Sequence, residues 1–529
     1  MKRIFNSFAK ILITIILIVS VFKFEEVYSA GEGDSLFTGT MVHTINMRFS
    51  QPNYWELLVY NYEQGQEEYI GATVIANGIT YNNVGVRLKG NSSYTHPNNK
   101  KPFRLSFNEF VSSQRWNGLK GVHLNNFWND PSFMREKLHL DYCKDVGLIA
   151  PRANYVRLYI NDTLYAFYSL IEHVDKIFLN RHFSDDDGDQ FKAVDAFGAT
   201  SHLVSDFRWY GSDTAEYENR YELKSELTSG PWRRLVNLID SVNHTTNPVY
   251  TYTSLINLTN YYKSMAVDIL MGNLDSYVYN GRNFYTYSLA PDYKMNWIVW
   301  DASLSMGALP GGPSNIETLP VTYVSSDTGR PLFGRIVNDA TLKHDYLMAF
   351  CGVFTNYFSS SRMFPKIDSI ANLIRPYVYE DQRKMFSNTQ FETNIVSDLI
   401  ISGFRFPGLK SYINSRRSNV VSQLTSLGIN CEIGIGNQNQ QVKGFELYQN
   451  YPNPFNPSTK ISFTLNRSEE ISLKLYDVLG NEIAVLFEGK KESGYHEINF
   501  SAENLPSGLY FYTLKTGNYS KTMKMTLVK

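Results

Sequence analysis

Cysteine is scarce in this sequence: Cys143, Cys351 and Cys431 are the only three among 529 residues. They are far apart and form no CxxC pair, so neither a zinc-binding motif nor a scaffold of several disulfides is predicted. The three allow one disulfide at most. Cys143 lies in a helical pattern, LHLDYCKDVGL, where we expect a small buried side chain.

Excess charge of either sign is also missing. The 50 Lys and Arg residues nearly balance the 51 Asp and Glu residues, which gives a formal net charge of -1. This balance argues against a broad nucleic-acid-binding surface but leaves room for a local basic cleft. Hydrophobic residues make up 43% and charged residues 19%, so we expect a globular protein, with enough length for two or more domains.

Long apolar runs are confined to the first thirty residues. Lys2 and Arg3 precede the apolar stretch 11–21, and the small residues Ser29 and Ala30 follow it. This pattern predicts a signal peptide at residues 1–30, removed on export; an uncleaved membrane anchor is the alternative. No later stretch is long and apolar enough to span a bilayer.

Residues 40–172 predict a mixed sheet with one inserted helix, which begins near Asp130-Pro131 and stops at Gly147. Helices are predicted within 231–275 and again from the Gly- and Pro-rich loop after Gly307 to about residue 427. The acidic loop SDDDG at 184–188 lacks the spacing of a calcium-binding loop, so we expect a solvated turn.

The stretch 273–307 carries the strongest chemical signal. Asp275 is followed by Asn280 and Asn283, and a predicted β-hairpin then leads to Asp301. Two acids and an amide at the ends of paired strands would suit Mg²⁺, together with substrate phosphates. A polar hairpin with capping carboxylates is the alternative that spacing alone leaves open.

The C-terminal region differs from the rest. Residues 431–444 predict a polar linker, and residues 445–529 give alternating strands separated by turns, typical of a small all-β sandwich. FELYQNYPNPFNPSTKISFTL, YDVLGNEI and GLYFYTLKTG resemble the type A C-terminal sorting domain of the type IX secretion system. This resemblance implies export through the periplasm to the surface or medium, with the secretion machinery as a partner.

The larger part of the chain, residues 37–430, resembles the CotH family of spore-coat protein H-like kinases. Seven blocks carry the resemblance in one order: VGVRLKGNSS, KKPFRLSF, LNNFWNDPSFMREKL, YAFYSLIEHVDKIFL, YELK, LDSYVYNGRNFYTY and IVWDASLSMG. It implies an α+β, atypical protein-kinase-like fold that uses ATP and Mg²⁺ or Mn²⁺. It also implies phosphorylation of Ser or Thr on exported or surface proteins.

The resemblance assigns roles within the site. Asp275 matches the family's catalytic acid and Asp301 its metal-binding acid, with Asn280 or Asn283 completing the metal shell. Phosphoryl transfer depends chiefly on positioning and charge stabilisation, which two acids and an amide around a metal supply.

Nucleotide contacts are assigned with less precision. Glu172, in LIEHVD, matches the family's Glu before Val-Asp. Lys101 is the first candidate for pairing phosphate, Lys192 the second and Lys224 the third.

The sequence departs from the family pattern at Ser303, where a second acid is common. It also lacks the GxGxxG loop of ordinary kinases, as this family does. A catalytically inactive surface or coat-assembly protein is therefore one alternative. A carbohydrate-associated protein is another, with Trp128, Trp209 and Trp232 as a sugar platform.

Overall fold

A computed structural model describes residues 31–65, 67–183, 185–194, 203–225, 229–326, 328–431, 446–447, 449–450, 453–465, 468–492, 494–517 and 520–528. The predicted signal peptide lies outside the described residues, as does the predicted linker except for its first residue. The strands of the first domain are β1 (His43–Arg48), β2 (Ile70–Ala76), β3 (Ile79–Leu88), β4 (Phe103–Ser106), β5 (Gly121–Asn125), β6 (Ala153–Ile160), β7 (Thr163–Glu172), β8 (Asp189–Ala193), β9 (Tyr221–Leu223), β10 (Phe284–Ser288), β11 (Met295–Val299), β12 (Leu399–Ile401) and β13 (Phe404–Phe406).

The helices of the first domain are also numbered in chain order. They are α1 (Tyr54–Glu63), α2 (Ser92–Thr95), α3 (Arg135–Asp145), α4 (Lys176–His182), α5 (Ala215–Glu218), α6 (Pro231–His244), α7 (Pro248–Leu255), α8 (Leu258–Leu270), α9 (Pro331–Asn338), α10 (Ala340–Phe354), α11 (Ser360–Glu380), α12 (Asn388–Val396) and α13 (Leu409–Ser426).

The N-terminal strands close into a barrel of order β1-β2-β3-β4-β5-β7-β6. Closure comes from a parallel pairing of β1 with β6, in which Ile45 lies opposite Leu158. The sequence predicted a mixed sheet here and not a closed barrel. Closure could not be predicted, because a pairing between strands more than a hundred residues apart leaves no local pattern. Alternate residues such as Val86 and Leu105 fill the barrel, so the intervening side chains face outward.

The inserted helix begins later than predicted. Asp130 does not cap it; its carboxylate accepts hydrogen bonds from the backbone N–H groups of Ser132 and Arg135 within a turn. Phe133 adopts a φ of 58°, which no helix tolerates, and α3 therefore starts at Arg135. Its predicted end is confirmed, since Gly147 follows in the left-handed conformation.

The rest of the first domain contains most of the helices and a four-stranded sheet of order β11-β10-β8-β9. The predicted hairpin is confirmed as β10 and β11, which pair with Phe284 opposite Val299. A buried salt bridge of 2.7 Å between Lys100 Nζ and Asp381 Oδ2 connects the barrel to the end of α11. A Cys351–Cys431 disulfide fastens α10 to the last described residue of this domain, and Cys143 is free and buried as expected.

The C-terminal part consists of strands alone among its described residues. They are β14 (Glu446–Leu447), β15 (Ser458–Leu465), β16 (Glu469–Tyr476), β17 (Glu482–Lys491), β18 (Gly494–Ser501), β19 (Gly508–Thr516) and β20 (Ser520–Leu527). They form two sheets, β14-β15-β18 and β17-β16-β19-β20, around one hydrophobic core that includes Phe463, Leu473 and Tyr512.

Candidate active site

A cleft of about 550 Å³ gathers residues from the barrel, from α3, from the four-stranded sheet and from the loops that follow α8 and β11. Asp275, Asn283 and Asp301 all line it, although 26 residues separate the first from the last. Lys192 and Lys224 line it as well. The structure thus brings five of the eight predicted site residues to one cavity.

Asp275 is held by neighbours from its own loop. Asn280 Nδ2 donates to Oδ1 at 2.5 Å, and Asn283 Nδ2 donates to Oδ2 at 3.0 Å and to the Asp275 carbonyl at 2.7 Å. The Arg282 guanidinium lies 3.7 Å from Oδ1. Asn283 lines the cleft. Asn280 does not line it, but its hydrogen bond holds the Asp275 carboxylate, which does. These contacts fix the orientation of the acid.

Asp301 lies two residues after the end of β11 and has a φ of 46°. Asp tolerates this left-handed conformation better than most residues do. Ser303 Oγ donates to Asp301 Oδ1 at 2.7 Å. The residue that stands where a second acid was expected therefore orients the first one.

Glu136, on α3, is a cleft residue that the predictions from sequence missed. Asn125 Nδ2 donates to both of its oxygens, at 2.8 and 3.1 Å, and Lys89 Nζ donates to Oδ1 of the same Asn125 at 2.8 Å. Burial, and then the neighbouring Asp301 carboxylate, raise the pKa of Glu136 to about 7. Glu136 lies in the segment MREKL, and the structure buries every residue of α3 from Arg135 to Leu140.

The barrel wall of the cleft is basic. Arg87, Arg104 and His123 lie opposite one another on β3, β4 and β5, so their side chains share the outer face of the barrel. His123 Nε2 lies 2.9 Å from Nδ1 of His173, and both rings line the cleft. Burial, followed by the nearby cations, lowers the pKa of both histidines well below its usual value. The two rings are therefore neutral, and the charge of the wall comes from Arg and Lys.

Besides Asn280, two predicted site residues do not line the cleft. Lys101 Nζ donates to the backbone carbonyls of Tyr94 and His96, at 2.6 and 2.5 Å. Glu172 is buried between Arg152 and Arg181, whose nearest contacts are 2.6 and 2.5 Å. Burial would raise the pKa of Glu172, but its hydrogen bonds to the two arginines outweigh this effect and lower it.

The three tryptophans of the predicted sugar platform are not gathered in one place. Trp128 lines the cleft. Trp209 and Trp232 are half-buried against the hydrophobic core, where Trp232 meets Phe191 edge to face at 5.0 Å. They pack the interior of the domain.

Comparison with known proteins identifies the larger part of the chain. The sequence model of the family described as CotH kinase protein matches residues 86–418. The chain belongs to the CotH family. The matched range contains Glu136, Asp275, Asn283 and Asp301, whereas Tyr62, Glu67 and Tyr69, which also line the cleft, precede it.

A curated relative of this CotH-family chain is the inner spore coat protein H of Bacillus subtilis (strain 168). The two are 25% identical over 295 residues, which is 55% of this chain and 77% of the relative.

Two solved structures show only weak likeness. The Twitchin kinase region of C. elegans has 9% identity, covering 81% of this chain and 70% of the other, with a TM-score of 0.16. PorZ, a surface component of the type IX secretion system of Porphyromonas gingivalis, has 22% identity, covering 18% of this chain and 13% of the other, with a TM-score of 0.13. These scores are too low to establish a shared fold.

The tail matches a second family model, the secretion system C-terminal sorting domain, over residues 449–529. This confirms the prediction from the YPNPFNP segment, and it makes the chain a protein exported by the type IX system to the surface or medium. None of the helices in the described part of the chain is both long and apolar enough to cross a bilayer.

Proposed function

We propose that this CotH-family protein is a metal-dependent phosphotransferase with an atypical protein-kinase-like fold. It transfers phosphate from ATP to Ser or Thr of exported or surface proteins. The observation that carries the proposal is the convergence of Asp275, Asn283 and Asp301 on one cleft with a basic wall. Phosphoryl transfer requires an acid near the acceptor hydroxyl, oxygen ligands for a metal and cations for the phosphates.

Asp275 is the candidate catalytic acid. Its carboxylate is held by two amide groups and lies 15% exposed at the cleft, so it can accept a hydrogen bond from an acceptor hydroxyl. Orienting that hydroxyl, and receiving its proton, is the task of the acid in this reaction. The surrounding amides keep the carboxylate in one position and so lower the entropic barrier to attack.

The donor set fits Mg²⁺ or Mn²⁺. Asp301 and Glu136 offer carboxylate oxygens, and the Asn283 amide uses its nitrogen on Asp275, which leaves its carbonyl oxygen as a ligand. Hard divalent ions prefer oxygen ligands of this kind, and a bound ion would neutralise phosphate charge. Glu136 thus supplies from α3 the second acid that Ser303 does not.

Lys89, Lys192 and Lys224 are the candidate phosphate-pairing residues. All three line the cleft, and Lys89 is tied to Glu136 through Asn125. This indirect link takes the place of the direct Lys–Glu pair of ordinary kinases. Lys101 lies elsewhere and is no longer our first candidate.

The test is label transfer from ATP by protein that starts at residue 31, with Mg²⁺ or Mn²⁺, beside Asp275→Ala and Asp301→Ala. We expect metal-dependent transfer that falls at least 100-fold in both variants. Polyphosphate serves as a second donor in the same assay, because ATP is scarce outside the cytoplasm. Absence of transfer from either donor, with no nucleotide-induced thermal shift, would remove the kinase proposal.

The Ser303 departure supports one alternative, a catalytically inactive scaffold for surface or coat assembly. Such a scaffold would bind nucleotide or metal without transferring phosphate. A thermal shift with ATP and Mn²⁺ in the absence of label transfer is the result that favours it.

A further inference from the structure

Behind the cleft, three buried polar side chains lie together that the proposed chemistry does not use. His139 and Ser305 are fully buried and Asp268 is 3% exposed. His139 lies three residues after Glu136 on α3, Ser305 lies four residues after Asp301, and Asp268 is seven residues before Asp275. Each member therefore belongs to a segment that carries one of the candidate site acids.

The three side chains form a chain of contacts in which one link is longer than a hydrogen bond. Ser305 Oγ donates to the carbonyl of Ala302 at 2.7 Å and lies 2.8 Å from His139 Nδ1. Because the hydroxyl proton goes to Ala302, the His139 Nδ1–H is the donor of the second bond. His139 Nε2 lies 3.6 Å from Asp268 Oδ1, which is longer than a hydrogen bond, and Nε2 has no hydrogen-bond partner among the described residues.

The chain continues into the loop of Asp275. Asn273 Nδ2 donates to Asp268 Oδ1 at 2.9 Å, and its backbone N–H donates to the Asp268 carbonyl at 2.8 Å. Ser276 Oγ in turn donates to the Asn273 carbonyl at 2.7 Å. Two residues flanking Asp275 are therefore fixed by contacts that begin at Asp268.

Ser305, His139 and Asp268 have the residue types of a hydrolase triad, but their surroundings exclude that role. A nucleophile must reach its substrate, and Ser305 is fully buried with its proton committed to Ala302. Burial lowers the pKa of His139 to about 3 and raises the pKa of Asp268 to about 7. The ring is therefore neutral at neutral pH.

We propose that His139 is a positioning residue, which holds the helix of Glu136 and the loops of Asp301 and Asp275 in one register through Ser305 and Asp268. This inference rests on the proposed function, because it concerns the geometry of the same site. Buried hydrogen bonds, such as that between His139 and Ser305, and close contacts, such as that between His139 and Asp268, hold side chains within the small tolerance that catalysis requires. A leucine at position 139 would fill the space but leave Ser305 and Asp268 without their common neighbour.

The experiment compares His139→Leu with His139→Asn, whose amide can replace Nδ1 toward Ser305. The matched control is His43→Leu. His43 is equally buried and hydrogen-bonded, to the Leu36 carbonyl at 2.7 Å, but it does not line the cleft. Hydrogen exchange and phosphoryl-transfer kinetics are measured on protein from residue 31 onward.

In His139→Leu we expect the hydrogen-exchange rates of residues 273–283 and 301–307 to increase at least 10-fold more than those of the barrel strands. We also expect kcat to fall 10- to 100-fold with KM for ATP within threefold. His139→Asn should restore most of the exchange protection and most of kcat. His43→Leu should raise exchange rates in the barrel strands alone. Exchange rates that rise equally throughout His139→Leu would overturn the inference. So would a His139→Asn variant that behaves like His139→Leu. If the unmodified protein transfers no phosphate, the proposed function fails, and the exchange pattern alone decides the inference.

Discussion

Ser303 Oγ donates a hydrogen bond of 2.7 Å to Oδ1 of Asp301. Ser303 is the residue that departs from the CotH pattern, in which a second acid is common at this position. In the structure Ser303 orients the Asp301 carboxylate, because a hydrogen bond from a neutral hydroxyl holds a carboxylate without adding charge. A second acid approaches from α3 instead, as Glu136.

We expect Ser303→Ala to weaken metal use without abolishing it. The lost bond to a charged group corresponds to about 1.5 kcal/mol, or on the order of 10-fold in the Mn²⁺ concentration for half-maximal activity. A Mn²⁺ titration of label transfer measures this change. Asp301→Asn, the companion variant, should lose activity at all Mn²⁺ concentrations; equal behaviour of the two variants would contradict the assignment of Asp301 as a ligand.

Glu136 predicts a pH effect on the stability of the metal-free protein. Its pKa of about 7 lies above the usual value of 4.5, so the folded state keeps a proton that the unfolded state has released. The free energy of unfolding should therefore fall as pH rises from about 4.5 to about 7, by on the order of 2 to 3 kcal/mol. Urea denaturation across this range measures the slope.

Glu136→Gln is the matched variant for this measurement, because it keeps the shape and cannot titrate. Asp268 also has a pKa of about 7 and is present in both proteins, so the difference between them isolates Glu136. We expect the variant to have the shallower slope. Identical slopes would mean that Glu136 is ionised in the folded protein well below neutral pH.

The choice between lysines can be tested directly. Lys89→Met should reduce phosphoryl transfer on the order of 100-fold, because Lys89 lines the cleft beside Glu136. Lys101→Met should remain within a few-fold of the unmodified protein, since Lys101 serves two backbone carbonyls. Steady-state kinetics of both variants decide the matter, and the reverse order would restore Lys101 as the phosphate ligand.

The disulfide should matter for stability rather than for chemistry. Cys351 and Cys431 close a loop with a sequence separation of 80, and loss of such a link costs roughly 2 to 4 kcal/mol. We expect reductant to lower the melting temperature of the unmodified protein. In Cys351→Ala/Cys431→Ala, reductant should change nothing, and activity below the melting temperature should be retained.

Deletion of residues 445–529 should leave the protein in the periplasm. The sorting domain matches 449–529, and its two sheets enclose a core of their own, so we expect the rest of the chain to fold without it. Fractionation and surface labelling measure delivery. A fusion of the tail to an unrelated exported protein is the control that should reach the surface, and undiminished delivery of the truncated chain would contradict the prediction.

Local patterns were sufficient for features that alternation and turn residues specify. The β10–β11 hairpin, the stop at Gly147 and the all-β tail were predictable because alternation and turn residues act over a few positions. Asp275, Asn283 and Asp301 could be selected for the same reason, since they sit at the ends of predicted strands and in blocks of a known family. The start of α3 was not predictable, because the Asp130 turn competes with the helix for the same backbone groups.

The sequence by itself determined the family, the sorting domain and two of the three candidate acids, Asp275 and Asp301. Only the tertiary structure decided which basic residues face those acids. Glu172 and Lys101 lie in family motifs, yet Glu172 is buried between arginines and Lys101 donates to backbone carbonyls. Glu136 and Lys89 both line the cleft and both bond to Asn125. The physical reason is that barrel closure through β1 and β6, and the packing of α3 against it, bring together residues that no local pattern relates.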